Sequence, residues 1–253
     1  MRVIGFKGLF GGAGTTTITA NLAGALHRRQ LSCIAVDLCA TNTLRLHFGM
    51  PMTEAQGLFN AVSTESEQLP LFESDMGVLY VPFGNVEKVP EHDTIRITLE
   101  NLLAQIKSAR SGQIDYVLVD IPNNDSKMLR TIVDLFDGIF HILAPEPRVY
   151  PALHYFSNVV WPNLQAPSVK HFFLLNQIAP HLELNRDIAD MLREELNPDL
   201  LLDQEIQRDQ HLPEALATQQ TAFEFTLGAQ SNVEFSALSI MFERLFEVEN
   251  DAV

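Results

Sequence analysis

Cysteine is scarce in this chain: Cys33 and Cys39 are the only two among 253 residues. That is too few for a disulfide framework and fits a reducing cytoplasm. With no histidine beside them, the two thiols read as packing residues. Positive charge is scarce too, with 17 Lys and Arg against 32 Asp and Glu, a net charge of −15. Nonspecific nucleic-acid binding needs clustered Lys and Arg to neutralise phosphates, and no basic stripe is present, so that class is disfavoured. Apolar runs such as "GIFHILA" fall far short of the ~20 residues that a membrane-spanning helix needs. The opening "MRVIGFKG" leads directly into a strand and a glycine loop and does not read as a signal peptide. Internal repeats, low-complexity tracts and long linkers are also missing, and the eight histidines are scattered without a metal-ligand or catalytic spacing.

What is present suits a packed globular protein: 46% of residues are hydrophobic and 19% charged, enough for one α/β domain across residues 1–253. "RVIGF", "SCIAVD", "DYVLVD", "GIFHILA" and "VKHFFLLN" read as strands apolar on both faces, as a parallel sheet requires, and "GVLYVPF" reads as a further one. Between them, "TTTITANLAGALHRR", "TIRITLENLLAQIKSAR", "DSKMLRTIVDLF" and "NRDIADMLREEL" carry apolar residues at helical spacing. This alternation predicts a doubly wound, mostly parallel sheet with helices on both faces. "APEPRVYP" and "WPNLQAP" read as loops. A last helix, about 231–248, places Phe235, Leu238, Phe242 and Leu245 on one face. With Arg244 alone among glutamates, it reads as a packing helix and not a membrane-surface one.

The chemistry is concentrated in "KGLFGGAGTTT", residues 7–17. Gly11, Gly12, Ala13 and Gly14 follow the first strand, and Thr15, Thr16 and Thr17 open the first helix. Glycines let backbone N–H groups turn toward an anion, and a helix N-terminus adds partial positive charge. Thr16 stands where a phosphate-loop hydroxyl binds Mg²⁺. Two other readings compete. One is a tight βα turn with an N-capping threonine. The other is a dinucleotide loop, because Asp37 ends the next strand roughly 20 residues on, where a ribose-binding acid belongs. The spacing G-x-G-x-x-G is absent, however. "DYVLVDIP" ends in Asp120, a carboxylate placed to hold Mg²⁺ directly or through water. Thr16, Asp37 and Asp120 together make three oxygen ligands beside a phosphate loop, and favour ATP–Mg²⁺.

"GGAGTTTITANLAGAL", "CIAVDLCATNTLRLHFG", "YVLVDIP" and "LLNQI" resemble the MinD/ParA group of deviant Walker ATPases along most of the chain. Within that group, "GGAGTTTIT" and "VDLC" followed by "NTLRL" resemble the BcsQ family of bacterial cellulose synthesis proteins. The group's pattern is K-G-G-x-G-K-T, and Gly11, Gly12, Gly14 and Thr16 fit it. Phe10 stands in place of the signature lysine that reaches the other subunit's nucleotide, and Thr15 in place of the phosphate-loop lysine; Leu9 replaces a glycine ahead of them. Asp37 matches the first aspartate of the group's D-x-D and Cys39 replaces the second, which orients the attacking water. The resemblance implies that Asn176 meets adenine, with Arg208 and Pro213 of "IQRDQHLPEA" near the base. It also implies a homodimer with two ATP–Mg²⁺ pairs at its interface, cytoplasmic and peripheral to the inner membrane through partners: BcsR, BcsE and the cellulose synthase itself.

Each lost lysine contact costs about 1.5–3 kcal/mol, roughly 10- to 100-fold in affinity. A transition-state cation in phosphoryl transfer is worth about 10³–10⁵ in rate. The expectation is therefore ATP binding with turnover slow or absent. A cycling MinD/ParA-type ATPase and a dinucleotide-binding oxidoreductase are the alternatives. Lys7, three residues before Phe10, is either a substitute phosphate cation or a strand-end lysine that is solvated or paired with a carboxylate. The charge balance predicts no salt-dependent mobility shift of DNA at micromolar protein.

Overall fold

The computed structural model describes residues 1–61, 70–110, 112–123, 125–164 and 166–246. Its strands are β1 (Arg2–Gly8), β2 (Cys33–Asp37), β3 (Phe72–Glu73), β4 (Leu79–Val81), β5 (Tyr116–Ile121), β6 (Gly138–Leu143) and β7 (Lys170–Leu175). They form one seven-stranded sheet in the order β3-β4-β2-β5-β1-β6-β7. Every pairing is parallel except that of β3 with β4 at the edge. The expected strands are all present, and their residues are buried in β2, β5 and β6 without exception. Two-faced burial is why they read as unbroken apolar runs.

The helices are α1 (Thr15–Arg28), α2 (Leu58–Ala61), α3 (His92–Ala109), α4 (Ser126–Ile132), α5 (Val149–Tyr155), α6 (Glu183–Glu195), α7 (His211–Ala217), α8 (Ala222–Phe225) and α9 (Gln230–Phe246). α1 carries the chain from β1 leftward in the strand order to β2, whereas α3, α4 and α5 carry it rightward. Right-handed crossovers in opposite directions put their helices on opposite faces, which makes the sheet doubly wound. Among the described residues, no helix is long and apolar enough to cross a membrane.

One expectation fails. The proline-containing stretches after β6 are not plain loops: α5 continues through a wide π turn at Phe156–Val160 into a 3₁₀ turn at Trp161–Asn163. Pro151 is the third residue of α5, where a missing N–H is harmless because first-turn N–H groups have no helical partner.

α9 covers the middle of the sheet, as its apolar face predicts. Phe235, Leu238 and Phe242 are fully buried and Leu245 is partly so, while residues 247 and 248 lie outside the described ones. The Phe242 ring lies 5.5 Å from Phe140 and 5.0 Å from Tyr116, and Phe6 stacks on Phe140 at 5.2 Å. Gly138 belongs to this fit, since a Cβ there would lie 2.7 Å from the Phe246 ring.

Phe242→Ala should cost about 3–5 kcal/mol through lost burial and the cavity left behind, read from denaturant unfolding. His47 gives a second prediction. It is buried with neither ring nitrogen hydrogen-bonded, and desolvation lowers its pKa to about 4. A histidine held neutral contributes its full stability above the unfolded value near 6.5 and loses it as pH falls toward 4. Between pH 7 and pH 5 the wild type should lose about 2 kcal/mol more than His47→Leu.

Candidate nucleotide site

The sheet places the glycine loop, Asp37 and Asp120 at the carboxyl ends of its central strands, where the crossover direction reverses and open α/β sheets bind ligands. Asn176 instead follows the edge strand β7, Arg208 lies in the connection before α7, and Pro213 lies within α7. The loop from β1 to α1 is Leu9 to Gly14. Gly12 and Gly14 both hold φ of 88°, a left-handed backbone that glycine adopts without strain. Gly14 is the N-cap of α1, and no side chain caps the helix. The capping-threonine reading is therefore wrong, because the cap residue has no side chain. The first-turn N–H groups keep their capacity for an anion.

Asp37 and Asp120 are register partners on β2 and β5, so both side chains rise from the same face of the sheet. Both are 0% exposed. Thr16 Oγ1 donates to Asp120 Oδ2 at 2.6 Å, and the other carboxylate oxygen of Asp120 is buried without a partner. Asp37 accepts from the Cys39 N–H at 2.8 Å and the Leu44 N–H at 3.2 Å. Desolvation and the neighbouring carboxylate raise the Asp37 pKa well above its usual value, and desolvation pushes that of Asp120 up to about 7. Oxygens of Asp37 and Asp120 and the Cys39 sulfur lie within 4.8 Å of one another. Burial beside two acids keeps the Cys39 thiol protonated. A buried Asp37 anchored by two backbone N–H groups is not an acid free to meet a ribose hydroxyl, which removes the main support of the dinucleotide reading.

The missing lysines leave different neighbours behind. Thr15 is buried, and its hydroxyl donates to Asn123 Oδ1 at 3.2 Å; the same oxygen accepts from the Gly8 N–H at 2.8 Å. Asn123 thus ties the glycine loop to the end of β5. Lys7 points beneath the loop, not into it: its ammonium donates to the carbonyls of Pro122 at 2.5 Å and Asn123 at 3.0 Å. Desolvation lowers its pKa to about 8. It matches neither reading: it does not point into the loop, and it is buried on two backbone carbonyls, neither solvated nor paired with a carboxylate. Phe10 is 8% exposed, under the guanidinium of Arg148.

A cleft of about 280 Å³ opens beside the loop, lined by Gly14, Thr17, Asn176, Gln177, Arg208, Pro213 and others. It gathers the three residues expected at the base. Asn176 also donates to the Ala13 carbonyl at 2.7 Å, and Gln177 to the Gly12 carbonyl at 2.8 Å. Asn123, Arg148 and Gln177 escaped the sequence reading. Asn123 and Gln177 carried a signal, each a polar residue just past a strand end; Arg148 carried none.

A family model described as cellulose biosynthesis protein BcsQ matches residues 1–241. The Escherichia coli K12 cellulose biosynthesis protein BcsQ is 28% identical over 250 residues, covering 94% of this chain and 93% of the relative. Among solved structures, the Pyrococcus furiosus cell division ATPase MinD superposes with a TM-score of 0.76 at 18% identity, over 96% of this chain and 99% of that one. The septum site-determining protein MinD of Pyrococcus horikoshii, complexed with Mg-ADP, gives 0.76 at 18% identity over 99% of both chains. The sheet, the glycine loop and the paired strand-end aspartates thus sit on the MinD/ParA fold, and the chain belongs to the BcsQ family of cellulose biosynthesis proteins.

Proposed function

We propose that this chain is the ATP-binding, homodimeric component of a bacterial cellulose secretion complex, with ATP–Mg²⁺ sandwiched between subunits and hydrolysed slowly or not at all. One observation carries the nucleotide part: Thr16 meets Asp120 beneath an uncapped helix N-terminus, and the other oxygen of Asp120 is buried without a partner. An orphaned carboxylate oxygen beside a second buried acid suits a hard divalent cation with oxygen ligands. Thr16 and Asp120 would hold Mg²⁺, with Asp37 directly or through water. The ion would neutralise phosphate charge there. The septum site-determining protein MinD of Pyrococcus horikoshii is complexed with Mg-ADP, which supports nucleotide and magnesium binding on this fold. The loop N–H groups of Gly11 to Thr17 would cradle the phosphates. The base would enter the cleft at Asn176, Arg208 and Pro213.

Slow turnover follows from what stands at three positions. Phe10 brings no cation, Thr15 is engaged by Asn123, and Cys39 is a protonated thiol where relatives orient water with a carboxylate. Nucleotide then serves as a cement between subunits more than as fuel. BcsR, BcsE and the synthase are the proposed partners, and they hold the protein at the inner membrane. The likeness to MinD favours one second reading, a cycling ATPase that positions a cargo; steady-state phosphate release at the rate of ordinary family members would select it.

In calorimetric titration with ATP and Mg²⁺, Thr16→Ala and Asp120→Asn should each bind at least ~10-fold more weakly than wild type. Unchanged binding in both would end the proposal. Asp120→Asn carries an opposite effect on stability. An aspartate with a folded pKa near 7 and an unfolded one near 3.9 has its full stability only below the lower value, and loses it as pH rises through 7. Without metal or nucleotide at pH 8, Asp120→Asn should be more stable than wild type by about 2–4 kcal/mol, with the gap closing toward pH 5.

A further inference from the structure

Arg148 belongs to the connection between β6 and α5, more than 130 residues from the glycine loop in sequence, yet it packs onto that loop. Its guanidinium carbon lies 4.7 Å from the centroid of the Phe10 ring. One of its terminal nitrogens lies 3.2 Å from where a Cβ on Gly12 would sit. Phe10 is the residue standing in place of a lysine, and Gly12 is an exposed turn of the loop. A cation therefore lies over the position where the sequence has lost one.

We propose that Arg148 is a phosphate-binding residue that contacts the terminal phosphate of ATP from within the same subunit, with the Phe10 ring as the platform that aims it. This rests on the nucleotide reading above.

Three features carry the assignment. The aromatic face orients a flat guanidinium and attracts its charge, so phenylalanine at position 10 has a use that a small loop residue would lack. Lys7 is committed elsewhere, bound to the carbonyls of Pro122 and Asn123, and Arg208 lines the cleft at Gly14 and Thr17, away from Phe10. The present partner of Arg148 is easily exchanged. Its Nε donates to Glu146 Oε2 at 2.6 Å, but the side chains are 54% and 38% exposed, and an ion pair in that setting contributes little. A triphosphate carries more charge than one carboxylate and offers the forked geometry that guanidinium prefers. The position also assigns which phosphate. The base cleft is lined by Gly14 and Thr17, later in the loop and the first helical turn, with Asn176 and Gln177, whereas Arg148 lies over the earlier loop residues Phe10 and Gly12.

The test compares ATP and ADP binding, each with Mg²⁺, in wild type, Arg148→Ala and Arg148→Lys, with unliganded melting curves as the check on folding. Arg148→Ala should weaken ATP about 10- to 100-fold while leaving ADP within about threefold, and Arg148→Lys should recover part of the loss. Loss of packing on Phe10 alone would lower both nucleotides equally. An equal fall, or no fall, overturns the role of Arg148 and leaves the nucleotide site standing. If wild type binds neither nucleotide, the site reading itself fails, and this inference falls with it.

Discussion

Two carboxylates that repel each other inside the protein set the terms for this site. Asp37 and Asp120 are adjacent in register, fully buried, and raised in pKa by desolvation. Nothing in the sheet requires acids there, since their neighbours along β2 and β5 are apolar. Such a pair is an expense that folding alone does not explain, and it is the basis for the proposed cation site. The surrounding loop follows from it. Thr16 reaches Asp120 because α1 begins directly above the strand end, and α1 begins there because Gly14 adopts the left-handed conformation that starts it without a side-chain cap.

The loop around that pair keeps its backbone donors and has exchanged its cations. At the two positions where the family resemblance implies lysines, Thr15 bonds to Asn123 and Phe10 lies under Arg148. The first exchange fastens the loop to the end of β5 through a neutral hydrogen bond. Lys7 reinforces the same fastening from below. A loop held from two sides in the absence of ligand loses little freedom on binding, which offsets part of the missing electrostatic attraction. Preorganisation favours binding; it does not replace a charge that appears only in the transition state. That asymmetry is the physical basis of the proposal that nucleotide is held more readily than it is consumed.

Much of the architecture was legible in the residues. Parallel strands buried on both faces leave continuous apolar runs, and α1, α3 and α6 leave a helical period, so the order of elements could be written down from sequence. The two-residue β3, the four-residue α2 and α8, and the helix through Pro151 were not legible. Their residues lack a period long enough to see, and a proline in a first helical turn looks the same as one in a loop. At the site, the glycine loop, Asp37 and Asp120 were readable because each sits at the end of a recognisable strand, whereas Asn176 was named only through the family resemblance. The direction of Lys7 was not, since a strand end allows either face until the register is known. Arg148 was invisible for a stronger reason: its relation to Phe10 exists only in three dimensions.

The most direct test of the account is to denature freshly purified protein and identify what it releases by chromatography. ATP recovered intact and stoichiometric with the chain is the predicted result. It would mean that this loop binds nucleotide without its lysines and does not consume it over the hours of a purification. Protein that releases only ADP would contradict slow turnover, and protein that releases no nucleotide would contradict the reading of the buried aspartate pair as the cation seat of an ATP site.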